Sequence, residues 1–105
     1  MFYSIQENKE KFEIDFNNGR KEIVFGNKIN VNGFDFFCFE KIHKILGVRL
    51  MNVCELNTRL RLLVIPFEGE NKVEFLEQVV IKEIVNLLER TPNFDCLIND
   101  RLKNI

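Results

Sequence analysis

Tryptophan and alanine are absent from the 105 residues, and serine and histidine occur once each, as Ser4 and His43. Each shortage excludes a class of chemistry. Ser4 lies outside any G-x-S-x-G elbow, and His43 has no nucleophile or carboxylate at a spacing that would orient it, so no catalytic constellation can be read. The five glycines, Gly19, Gly26, Gly33, Gly47 and Gly69, are dispersed and form neither G-x-G-x-x-G nor a Walker loop, which leaves nucleotide binding without support. Cys38, Cys54 and Cys96 are odd in number and widely spaced, with no C-x-x-C pair. That pattern argues against a disulfide scaffold and for reduced thiols in a cytoplasm. Together with His43 they lack the close ligand pairs of a zinc site, so buried structural thiols are expected, with no metal and no cofactor. The longest apolar run is Leu62 to Phe67, far short of the ~20 residues of a membrane helix. Residues 1–7 do not show the basic and then apolar pattern of a signal peptide.

The length suits a single domain over residues 1–105. With 46% hydrophobic and 30% charged residues the composition is globular. A net charge of −1 supplies no overall field that would attract nucleic acid. The chain holds 13 Asn, 11 Ile, 11 Phe and 9 Lys. These residues use A/T-rich codons and the missing alanine uses G/C-rich ones. The bias points to a low-GC genome, that of a Firmicute-like bacterium or of a phage or plasmid living in one. Without alanine, helices must be held by packing rather than by intrinsic propensity.

The first half carries two hairpin signals. Lys11 to Phe16 alternates apolar and polar residues and runs into Asn18-Gly19. A two-residue turn there sets Phe16 opposite Lys21, Ile14 opposite Ile23 and Phe12 opposite Phe25. Asn32-Gly33 in the same way sets Val31 opposite Phe34 and Ile29 opposite Phe36. Phe39, Ile42, Ile45 and Leu46 fit one face of a short helix over residues 40–46, ended by Gly47. Residues 48–54 and 58–67 read as a further strand pair around a turn at Glu55-Leu56-Asn57, with Leu60, Leu62 and Val64 to one side and Arg59 and Arg61 to the other.

Asn71 is placed to cap a helix, with Glu74 positioned to reach back as in a capping box. The amphipathic helix spans about residues 72–90. Its stripe is Val73, Leu76, Val80, Ile84, Leu87 and Leu88, widened by Val79, Ile81 and Val85. Thr91-Pro92 stops it. A short helical tail follows, with Phe94, Leu97, Ile98 and Leu102 turned inward. The fold class is therefore α+β: a mainly antiparallel sheet built from hairpins and packed by a C-terminal helix. The wide apolar helix face needs either the tail or a second copy of the chain over it.

This order, several strands and then a closing amphipathic helix, resembles that of pleckstrin-homology-like domains, whose motifs are absent here. The resemblance implies a ligand-binding module for a peptide or a lipid headgroup.

Phe34, Phe36 and Cys38 share the core face in the Asn32-Gly33 register, which sends Phe37 and Phe39 to the opposite one. Two aromatics on a nominally solvent face need cover from a helix over 40–46 or from a second sheet. Left uncovered they form a patch of the kind that marks a partner site. Arg59 and Arg61 share a strand face, and Lys41, Lys44, Arg49, Arg20 and Lys21 can converge on it. Glu13, Asp15 and Glu22 oppose that field and argue against nucleic acid. With no catalytic or metal set, the expected function is that of a small non-enzymatic protein-binding accessory or inhibitor. Phages and mobile elements carry many such chains, anti-CRISPR proteins among them. Phe37 and Phe39 are the candidate apolar anchors, and Arg59 and Arg61 the candidate polar contacts. An enzyme of unfamiliar type built around His43 and a nucleic-acid-binding regulator are the remaining alternatives.

Overall fold

The computed structural model describes residues 2–15 and 19–103. Asn32 and Gly33 both take positive φ, 51° and 89°, the pairing a type I′ turn requires. They join β3 (Lys21–Val31) to β4 (Phe34–Ile42) in the expected register, Val31 opposite Phe34 and Ile29 opposite Phe36. β4 pairs β5 (Arg49–Glu55), and β5 pairs β6 (Arg61–Pro66), all antiparallel. On the far edge of β3 lie two strands end to end. β1 (Tyr3–Ile5) pairs its last residues, and β2 (Glu10–Asp15) pairs its first.

The sheet curls at Gly26. A Cβ on this residue would collide with the carbonyl oxygen of Cys38, so β3 crosses β4 at a separation only glycine allows. Asn27 pins the bend: its Nδ2 donates to the carbonyls of Gln6 and Glu7 at 2.9 and 3.0 Å, fastening the link between β1 and β2. Beyond the bend, the β2–β3 hairpin leaves the plane and folds over the outer face of the sheet.

This bend also corrects the expected register of the first hairpin. Phe12 pairs with Val24, Ile14 with Glu22 and Asp15 with Lys21, one residue away from the expected pairing. The inward side at Gly26 belongs to even-numbered residues, so Val24 and Glu22 face the sheet while Ile23 and Phe25 are exposed. The Asn18 half of the expected turn lies outside the described residues.

Two further expectations change. Residues 40–46 form no helix. β4 continues to Ile42 because it pairs β5 along its whole second half. A turn closed by Gly47 (φ 68°) follows, in which His43 N–H donates to the Val48 carbonyl at 2.8 Å. In β6 an irregularity at Leu62 separates the pairs Val53–Leu63 and Cys54–Arg61. It turns Leu63 and Ile65 inward and sets Arg61 and Val64 together on the outer face. Arg59 precedes the strand, in a turn at φ 61°. That turn is held by the Glu55 carboxylate, which accepts from the Asn57 and Thr58 N–H groups.

The inner face carries the main core. Asn71 Oδ1 accepts from Glu74 N–H at 3.1 Å and starts the helix, while the Glu74 carboxylate takes a hydrogen bond from Gln78. α1 (Lys72–Phe75), a π-helical segment (Leu76–Val80) and α2 (Ile81–Arg90) run on without a break. The π turn widens the buried stripe, so that the adjacent Val80 and Ile81 both point inward against Ile29, Phe36, Met51 and Val53. α3 (Phe94–Lys103) closes one end of this core. Phe94 sets its ring edge-on to Phe34 at 5.0 Å, and Ile98 packs beside it. Leu97 and Leu102, expected inward, are largely exposed. Among the described residues no helix is long and apolar enough to cross a membrane.

Candidate functional site

Phe37 and Phe39 point to the outer face, as the strand alternation requires, but neither reaches the surface: they are 0% and 6% exposed. The folded-over hairpin covers them. Phe12 stacks on Phe37, Phe37 lies 6.1 Å from Phe39, and Ile14, Val24, Cys54 and Leu56 complete a second small core. The expectation that these two rings anchor a partner is thereby corrected: the chain's own second sheet layer takes the place of a partner.

The hairpin covers only one half of the outer face. On the other half Lys41 (β4), Leu50 and Asn52 (β5), and Arg61 and Val64 (β6) look outward: Lys41, Arg61 and Val64 are exposed, Leu50 is half-buried, and Asn52 is buried beneath them. Two hollows occupy this open half. The first, about 290 Å³, lies between hairpin and sheet, where Ile14 and Glu22 face Phe39 and Asn52 and the arginines Arg59, Arg61 and Arg101 converge. The second, about 340 Å³, is walled by Ile42, Ile45, Leu50 and Val64. Lys41, Asn52 and Arg61 line both, so the two hollows adjoin along these three side chains.

The site is electropositive in a chain of net charge −1. Among the described residues Lys41, Lys44, Arg59, Arg61 and Arg101 line it against one carboxylate, Glu22, which Lys41 engages at 3.3 Å. Arg59 is held in place by packing. Its guanidinium lies 5.5 and 5.3 Å from the ring centres of Phe12 and Phe37, and its Nη1 is buried with no hydrogen-bond partner among the described residues. Asn52 is 3% exposed, and none of the side-chain hydrogen bonds among the described residues uses its amide. Burial pushes the Cys54 thiol up to about 11, against a downward pull from Arg61 and Arg59. Cys38 is raised further still, by deeper burial and then by Cys54. These two thiols are packing groups.

Arg59 and Arg61 do meet, through a turn and a bulged strand rather than one strand face. Lys41 and Lys44 join them. Arg49 does not: it pairs with Glu40 at 2.6 Å, donates to the Gly69 carbonyl and lies over Phe67. Lys21 pairs with Glu13 on the outside of the hairpin. His43 is exposed in its turn, its Nδ1 accepts from Leu46 N–H, and among the described residues no carboxylate or thiol lines the hollow it borders. Among the described residues no three His, Cys, Asp or Glu side chains are grouped to hold a metal ion.

Sequence reasoning missed Asn52 and Arg101. A signal for Asn52 existed, a lone amide amid the apolar residues of Leu50 to Cys54. None existed for Arg101, whose place depends on where the tail docks. No family model matches this chain, and no curated protein or solved structure matches it, so the function rests on the cleft's own residues.

Proposed function

We propose that this chain is a non-enzymatic protein-binding module, and that the open half of its outer sheet face receives a segment of another protein. One observation carries the reading: three arginines, from the turn after β5, from β6 and from α3, converge on a partly apolar cleft, and none of the three pairs with a carboxylate among the described residues. A solvated structural face would intersperse charges of both signs. The adjoining turn adds apolar surface, with Ile45 89% and Leu46 71% exposed. The codon bias favours one biological form, an inhibitor from a phage or mobile element of a low-GC bacterium. It would act as anti-CRISPR proteins do, by occupying a surface of a host protein.

The test is affinity capture from a low-GC bacterial lysate, comparing the wild type with Arg61→Glu/Ile45→Ser and with Lys82→Glu on the opposite helix. All three changes are at exposed positions, where substitution costs little stability. A protein held by the wild type and by Lys82→Glu, and lost with the double variant, is the expected result. Equal capture by all three baits would remove the outer face from the function.

A further inference from the structure

We infer that the cleft recognises an extended peptide segment carrying an acidic side chain and, two residues away, an apolar one. This rests on the protein-binding reading and specifies the chemistry of the partner.

The two hollows differ in character. The first is the meeting place of Arg59, Arg61 and Arg101, and the second is walled by aliphatic side chains. Because they adjoin at Lys41, Asn52 and Arg61, an extended ligand laid across these residues reaches both. In an extended chain, side chains two residues apart lie on one face about 7 Å apart. That spacing lets neighbouring hollows take alternate residues while the backbone passes over their junction.

Asn52 is the floor of that junction. The residue is nearly fully buried, but its amide, which carries a donor and an acceptor, is not sealed off and makes no side-chain hydrogen bond among the described residues. A free carboxylate presents only acceptors and leaves the Oδ1 atom without a donor. A peptide group presents one N–H and one C=O and satisfies both ends of the amide. The arginines complete the selection, because planar guanidinium groups accept a carboxylate in paired hydrogen bonds. Arg59 is already ordered by the Phe12 and Phe37 rings, so little side-chain freedom is lost when it engages.

The experiment is an NMR titration of the full chain with three probes: acetyl-Glu-Thr-Ile-amide, acetyl-Gln-Thr-Ile-amide and inorganic phosphate. The Asn52 side-chain amide and the Arg59 and Arg61 Nε–H signals are followed. The acidic peptide is expected to shift all three signals and to bind about tenfold more tightly than the glutamine analogue. Arg61→Gln is expected to erase that difference while leaving the residual binding of the apolar side chain. Equal binding of the two peptides would overturn the acidic specificity. Phosphate shifting the Asn52 amide as strongly as the peptide would overturn the peptide assignment in favour of a general anion site. No shift at Asn52 with any probe would overturn the inference altogether. The lysate capture above judges protein binding independently of these outcomes.

Discussion

The Phe12 ring lies on the Phe37 ring with centroids 4.3 Å apart and planes 14° from parallel. This stack joins the β2–β3 hairpin to the sheet, creates the second core, and supplies the surface on which Arg59 rests. Phe12→Ala removes it. The expected loss is about 3–5 kcal/mol of unfolding free energy, read by urea denaturation. On the same hairpin, Phe25→Ser changes stability by no more than roughly 0.5 kcal/mol, because that ring is exposed. A larger loss at Phe25 than at Phe12 would mean that the hairpin has the other register.

Gly26 is required for closeness, not for φ. In Gly26→Ala the new methyl group meets the Cys38 backbone, which cannot yield as a side-chain end would. The expected cost is about 2 kcal/mol or more. Gly33→Ala is the useful contrast, with open space around the site and a φ of 89°, and a cost of about 1 kcal/mol. Thermal unfolding of the two variants ranks them, and Gly33→Ala as the more damaging change would contradict the bend described here.

The thiols separate by environment. Cys96 is exposed on α3, whereas Cys38 and Cys54 are buried with raised pKa values. A thiol reagent at pH 8 is therefore expected to modify one cysteine quickly and the other two only at the rate of unfolding. A thiol whose pKa rises on folding keeps its proton more firmly in the folded state. Its contribution is complete below the ordinary value near 9 and is lost as pH climbs toward about 11. Stability falls through that window, and Cys54→Ala makes the fall shallower. An unchanged slope in the variant would show that Cys54 does not titrate with unfolding.

What could be read in advance divides along local and tertiary lines. The Asn32-Gly33 hairpin was legible because two adjacent residues set both turn and register. The Asn71 cap and the apolar stripe of the long helix were legible for the same reason. The first hairpin was not, since its parity is decided by where β3 bends over Cys38. The outward direction of Phe37 and Phe39 followed from alternation, but their cover depended on that same bend. Arg59 and Arg61 were placed in the site for a reason that proved incomplete. The irregularity at Leu62 moves Arg61 to the side of Val64, and the positive φ of Arg59 carries its guanidinium back over the aromatic rings.

The central claim is that the open half of the outer face, bounded by Arg59, Arg61, Asn52 and Ile45, is where this chain engages another polypeptide. The most direct measurement is selection of a random-peptide library on the immobilised wild-type chain, with the Arg61→Glu/Ile45→Ser variant as the parallel bait. The account predicts peptides that are enriched by the wild type alone and share an acidic residue two positions from an apolar one. Peptides enriched equally by both baits, or no enrichment on the wild type, would contradict it.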